Sequence, residues 1–224
     1  KALSKLMQDA TFSEVAFLLL AERMPTNSEA QMLDMMLTSC IEHGVETPSA
    51  FSARVSASVG NPLHVALAAG LLATGPWHGG AIEESARYIQ LPESPADLVS
   101  KLIADKKRLP GFGHKIYKDK DPRAEALLEK AKQLGIAGNF VSRARELESE
   151  LEKQSGKRLP INIDGAIAAI ISEFGFDWRL GNALFTLGRM PGLIAHAFEE
   201  IKNEKPYRRF DDTDVEYQGT DLES

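Results

Sequence analysis

The chain has 224 residues, 43% of them hydrophobic, and a formal net charge of -6. That is enough for one substantial core, or one large lobe carrying a smaller one, and no internal repeat or low-complexity run is present. The acidic balance argues against nucleic acid or an anionic membrane surface as the main partner, since both reward a basic field. A single cysteine, Cys40, excludes an internal disulfide, and metal-type Cys/His spacing is absent, so the expected compartment is the cytoplasm.

The chain starts at Lys1 on what reads as the lead-in to a helix, which leaves an earlier or targeting segment open. Phe12 to Arg23 carries Phe12, Val15, Ala16, Leu19 and Leu20 at helical spacing and is stopped by Pro25. Ser28 with Gln31 predicts a capping box for a helix running through Met32, Met35, Met36 and Ile41 towards Gly44, its methionines filling a core. Thr47-Pro48, Asn61-Pro62, Ser94-Pro95 and Asp121-Pro122 each put a capping side chain before a proline suited to a first helical turn. The most apolar stretch, residues 63–77, is broken by Gly70, Gly75 and Pro76 and falls short of the roughly 18 apolar residues of a membrane span. Arg143 to Lys153 has mixed charges at three- and four-residue spacing and reads as a solvated helix face. Gly165 to Ile171 is apolar on all sides and reads as buried. Asn182 to Ile201 is apolar too, yet holds Arg189, a cation needing an anionic partner, and Pro191 and Gly192, which kink a helix. Strand-like alternation is almost missing, so any sheet is small, and the acidic tail from Phe210 reads as extended.

Three polar residues stand where backbone bulk has been removed and a helix is about to begin: His78 in GPWHGGA, His114 in LPGFGHKIY and Asp164 in INIDGA. The helix predicted over residues 81–89 turns its positive end towards His78, which favours a neutral imidazole donating to a developing oxyanion. Pro110, Gly111, Phe112 and Gly113 form a turn whose amides suit a ligand groove. Lys106, Lys107, Arg108, Lys115, Lys118 and Lys120 flank it, a basic cluster that suits a phosphorylated or carboxylated small molecule. Taken singly, each has a plainer reading: the two histidines as turn residues, Asp164 as a helix N-cap, Asp121 as another, and His64 and His196 as core residues.

Together these motifs, with DPRA and LGRMPGLIAH following in order, resemble the citrate synthase superfamily over nearly the whole chain. Within it the sequence looks most like the short citryl-CoA lyases and the C-terminal lyase domain of ATP-citrate lyase, on its brevity, NIDGAIAA and EKPYRRFDD. It departs from the latter in keeping His78 where that domain has phenylalanine, which leaves both reaction directions open.

The resemblance implies an all-α, citrate synthase-like single domain over residues 1–224. Its large lobe spans about 1–82 and 175–224, its small lobe about 83–174, and the active site lies in the cleft. It implies a citryl-CoA lyase forming acetyl-CoA and oxaloacetate, with a citrate or methylcitrate synthase as the alternative and a non-catalytic CoA-binding subunit as a third reading. The carried-over catalytic residues are His78 holding the acetyl-CoA enolate, His114 taking the citryl hydroxyl proton, and Asp164 protonating the enolate. Arg123, Arg189 and His43 would bind the substrate carboxylates, and Arg208, or its neighbour Arg209, would reach a partner subunit's site in an oligomer of at least two chains. Coenzyme A, a substrate and not a resident cofactor, would lie along Pro110 to Gly113 with Lys107 among its phosphate contacts. No metal or redox cofactor is required.

Overall fold

The computed structural model describes residues 3–219; Lys1, Ala2 and the end of the acidic tail, 220–224, lie outside the described residues. Among the described residues there are eleven α-helices, two single-turn 3-10 helices and no strand beyond isolated bridges, which makes the fold all-α. No helix among them is long and apolar enough to cross a membrane.

Helix starts follow the capping chemistry in the sequence, with two shifts of register. α1 (Leu3–Asp9) leads to α2 (Phe12–Ala21), which opens on a capping box of Thr11 and Glu14. α3 (Asn27–Ser39) opens on Thr26 and Glu29 and not on the expected Ser28 and Gln31. Thr26 has the extended backbone, its hydroxyl accepts from Glu29 N at 3.2 Å, and the Glu29 carboxylate accepts from Thr26 N at 2.7 Å. The helix ends before Ile41 and Gly44. Thr47, Ser94 and Asp121 stand at the N-caps of α4 (Pro48–Ser58), α7 (Pro95–Ala104) and α8 (Pro122–Gln133), as expected, but only Ser94 and Asp121 cap with their side chains; the Thr47 hydroxyl donates back to Gly44 O at 3.0 Å. For α5 (Leu63–Leu72) the N-cap is Pro62, because the Asn61 amide turns back to donate to Ser56 Oγ at 3.2 Å.

The chain forms two compact units. The first holds the residues up to Glu42 and Thr74–Met190. Its axis is α10 (Ile163–Glu173), buried at every position from Gly165 to Ser172 as its apolar sequence requires. α6 (Ala81–Ile89), α8 and α9 (Asn139–Ser155) pack around it, and α7 lies on α9. Ile82, Ile89, Leu127 and Leu147 are among the core side chains, each contributing on the order of 2 kcal/mol by burial. α9 is less solvated than its charge pattern suggests. Ala144, Leu147 and Leu151 are buried, Arg143 donates to Glu93 O at 2.6 Å, and Arg145 bridges Glu125 and Glu148 at 2.7 and 3.0 Å.

The second unit holds His43–Ala73 and the chain from Pro191 onward. α4 and α5 pack closely over a cluster of Ala53, Ala57, Ala66 and Ala197. α11 (Gly181–Asn203) begins in the first unit and carries Pro191 within it. His64 is exposed and not a core residue, and His196 is half-buried with Nδ1 3.8 Å from Glu199. The tail has a 3-10 turn at Asp212–Asp214 between extended residues Asp211 and Val215. The lobes implied by the resemblance are a different partition, drawn about a cleft, and they stand as a proposal.

Candidate functional site

The turn that carries His114 is laced to the segment that starts α10. Gly113 N donates to Pro160 O at 2.7 Å, Asn162 N to Gly111 O at 3.0 Å, and Asn162 Nδ2 to Gly113 O at 2.9 Å. Gly111 has φ +85°, and a Cβ there would collide with Ser85 Oγ and come within 2.8 Å of Gly165 Cα. Gly111→Ala is therefore expected to destabilise the fold by ~2–4 kcal/mol through strain and overpacking. Gly135→Ala, at φ +71° with nothing within 4 Å, should show the backbone strain alone, about 1 kcal/mol. Paired thermal melts of the two variants check this.

Asn162, and not Asp164, caps α10: its Oδ1 accepts from Asp164 N at 3.0 Å and Gly165 N at 3.2 Å. Asp164 is the second residue of the helix, and its carboxyl is left for other work. Burial raises its pKa to about 6, with Arg123 opposing the rise and Asp121 adding to it.

His114 is held in one tautomer. Its Nδ1 accepts from Ile116 N at 3.1 Å and Tyr117 N at 3.2 Å, so a neutral ring carries its proton on Nε2. That nitrogen lies 3.3 Å from Arg123 Nη2, which is also a donor. Two donors converging on one place suit a shared acceptor, such as a carboxylate, alkoxide or carbonyl oxygen. Arg123 is exposed but held in place, because its Nε and Nη2 donate to the fully buried Asp121 at 3.2 and 3.0 Å.

A second cluster gathers His78 and Arg189 around Phe185. Gly75 and His78 exchange two backbone hydrogen bonds of 2.9 Å, closing a tight turn, and the imidazole meets the Phe185 ring edge-on at 6.1 Å. Burial lowers the His78 pKa, which favours the neutral imidazole, and the helix expected over residues 81–89 is present as α6. Arg189 is 1% exposed, with Cζ 5.2 Å from the centre of the same Phe185 ring. Its Nε and Nη2 have no hydrogen-bond partner among the described residues. Burial lowers its pKa, against the charge of Glu42. The Cys40 thiol, pushed up to about 11 mainly by burial, stays neutral; the charges of Asp164 and Arg189 both act on it.

Part of the predicted turn and basic cluster forms one cavity of about 630 Å³, lined by Lys106, Lys107, Arg108, Phe112, Gly113 and His114, with Lys115 and Lys157 also on its wall, while Lys118 and Lys120 are exposed and do not line it. No carboxylate is among the residues that line it, although Lys107 Nζ pairs with Asp105 at 3.1 Å, and its wall carries a net positive charge. Pro110 and the buried Gly111 complete the turn.

The other expected residues belong to the second unit. His43 is half-buried. Arg208 donates from Nε and Nη2 to Glu200 at 2.9 and 2.7 Å, and Glu200 also accepts from Arg54 at 2.7 Å. Arg208 is thus held within its own chain, while Arg209 is exposed. Sequence reasoning missed Asn162, Phe185 and the wider role of Asp121. For Asn162 the signal was present: an Asx residue placed just before an apolar helix.

The citrate synthase C-terminal domain family matches residues 25–209. The chain is 36% identical over 199 residues to the citrate synthase of Synechocystis sp., covering 85% of this chain and 50% of that one. It is 29% identical over 207 residues to ATP-citrate synthase beta chain protein 1 of Arabidopsis thaliana, covering 84% and 34%. It spans about half the length of the curated citrate synthases it matches. The citryl-CoA lyase from Hydrogenobacter thermophilus superposes with a TM-score of 0.96 at 45% identity, over 99% of this chain and 89% of that one. ATP citrate lyase from Methanothrix soehngenii, in complex with citrate and coenzyme A, gives 0.85 at 26%, over 99% and 39%.

Proposed function

This chain belongs to the citrate synthase family, and from that premise we propose that it is a citryl-CoA lyase, cleaving citryl-CoA to acetyl-CoA and oxaloacetate. The observation that carries the reading is the likeness to a citryl-CoA lyase of nearly the same length, at a TM-score of 0.96.

Arg189 and Arg123 hold the carboxylates of the citryl group, and coenzyme A takes the basic cavity beside Phe112 and Gly113, its phosphates on Lys107 and its neighbours. The paired donors His114 Nε2 and Arg123 Nη2 receive the oxygen on the carbon that becomes the oxaloacetate carbonyl. With Nδ1 already accepting two backbone N–H groups, His114 is a donor and not the proton acceptor that the resemblance implies. It stabilises the alkoxide, whose proton leaves to solvent. The C–C bond then breaks, its electron pair passes into the thioester as an enolate held by neutral His78, and Asp164 gives its proton to the enolate carbon before being reprotonated by solvent. Arg209, exposed where Arg208 is tied to Glu200, becomes the arginine offered to a second subunit in a homo-oligomer of at least two chains.

The runner-up is condensation of acetyl-CoA or another acyl-CoA with oxaloacetate, favoured by the retained His78 and by relatives named citrate synthase. A coupled assay separates the two: citryl-CoA with malate dehydrogenase and NADH reports oxaloacetate, and thiol release reports condensation with hydrolysis. Oxaloacetate formation with little net thiol release supports the lyase; sustained thiol release overturns it.

The pH dependence of each direction follows from Asp164, with its pKa of about 6. Cleavage needs both the protonated acid and a hydroxyl proton lost to solvent, and these requirements offset each other above pH 6, so its kcat/KM should rise about tenfold per unit below pH 6 and level off above it; condensation needs the carboxylate and should follow the same profile, because the interconversion exchanges no net proton. Rate profiles from pH 5 to 9 in both directions check that the two limbs break together near pH 6.

A further inference from the structure

Asp121 does more than cap a helix. It is 0% exposed, and both of its oxygens are in use. Oδ1 accepts from Arg123 N at 3.0 Å and Arg123 Nε at 3.2 Å; Oδ2 accepts from Arg123 Nη2 at 3.0 Å and from Ile163 N at 3.2 Å. Capping α8 accounts for one of these four bonds. Two more grip one edge of the Arg123 guanidinium while its Nη2 stays within 3.3 Å of His114 Nε2. The fourth crosses 42 positions of sequence to pin the first residue of α10, immediately before Asp164.

The groups facing this carboxylate are Arg123 on its own helix and Asp164 with the Ile163 N–H on α10, with His114 reached through Arg123. Burial alone would raise the Asp121 pKa, yet the hydrogen bonds from the Arg123 side chain and backbone and from Ile163 hold it below the ordinary range. Asp121 is thus a permanent buried anion, and its charge adds to the raised pKa of Asp164.

We infer that Asp121 is a positioning residue that fixes two working parts of the site at once, the Arg123 guanidinium that meets the substrate oxygens and the helix start that presents Asp164. The inference rests on the function proposed above and names a residue that acts through others without touching substrate. An uncharged amide cannot take its place. Asparagine has one oxygen for four donors, and its NH₂ would face either Arg123 Nη2 and the Ile163 N–H together or Arg123 N and Nε together.

Three variants in the full chain test it. Asp121→Asn should raise KM for citryl-CoA about tenfold or more and move the Asp164 limb of the pH profile to lower pH, while the affinity for coenzyme A alone, measured by calorimetry, stays unchanged. Asp121→Glu keeps the anion but not its reach, so KM rises and the limb stays. In an Arg123→Gln background, Asp121→Asn should add little to KM yet still move the limb. A folded Asp121→Asn protein with wild-type KM and pH limb overturns the inference, as does a KM effect that simply adds to that of Arg123→Gln. If Asp121→Asn does not fold, Asp121→Glu decides by whether KM rises. If the wild type fails to cleave citryl-CoA, the proposed function fails, and the same variants are read by oxaloacetate binding and by ¹³C NMR titration of the Asp164 carboxyl, assigned with Asp164→Asn. Unchanged oxaloacetate affinity and an unchanged titration then overturn the role of Asp121 itself.

Discussion

Asp164→Asn is expected to lose about 10³-fold or more in turnover and, at the same time, to melt several degrees higher at pH 8. An amide has no acidic proton to give a carbanion, and a positioned general acid contributes about 10²–10⁴-fold. The stability gain comes from the same property. The Asp164 pKa is about 6 in the fold, roughly two units above an ordinary aspartate, and each unit corresponds to about 1.4 kcal/mol. The proton is held more tightly in the folded state, so the group costs nothing below about pH 4, where both states are protonated. The penalty builds between about pH 4 and 6 and is complete above that. With the partial exposure of the side chain taken into account, about 2 kcal/mol is expected, or on the order of 5 °C for a chain of this size. Melts at pH 8 and pH 4 read the sign: the variant should gain at pH 8 and match the wild type at pH 4. Equal or lower stability at pH 8, or retained turnover, would remove Asp164 from its role as a strained acid.

Asp164 also marks the limit of what the sequence tells. Its rigid mount was legible because Gly165 to Ile171 is apolar on every face, and such a rod can only be buried. Most helix starts were legible too, because a cap and its proline are neighbours in the chain. The Thr26–Glu29 box was overlooked in favour of Ser28 and Gln31, since both spacings satisfy the pattern and only the extended backbone at Thr26 decides between them. The bond from Ile163 N to Asp121 and the grip of Glu200 on Arg208 depend on where whole helices pack, and no local pattern encodes them. The charges of α9 misled for a related reason. A helix with mixed charges looks solvated until the loop before α7 supplies Glu93 O and α8 supplies Glu125 as partners. Function was read from motifs brought together in the first unit, His114 with Arg123 and His78 with Arg189, whereas the tautomer that makes His114 a donor became visible only with the Ile116 and Tyr117 N–H groups in place.

Arg189→Met is the second large effect expected, and it separates binding from folding. Arg189 is nearly inaccessible, and two of its nitrogens lack hydrogen-bond partners, so the ligand-free protein keeps a desolvated, underpaired charge that a cation–π contact with Phe185 offsets only in part. A substrate carboxylate would satisfy both nitrogens. Each charge-assisted bond made in such a place is worth about 1.5–3 kcal/mol, so losing two should weaken binding of the citryl group about 10²- to 10³-fold or more. Methionine fills a similar length without the charge, and the ligand-free variant should melt no lower than the wild type. Arg189→Lys should not restore affinity, because a single ammonium cannot donate in the planar fork. Citrate supplies the control. Binding to the folded state raises the melting point by mass action, so millimolar citrate should stabilise the wild type and leave Arg189→Met unmoved. A citrate-induced shift that survives in Arg189→Met would mean that the carboxylates are held elsewhere, and the buried guanidinium would then be a cost of the fold with no return in binding.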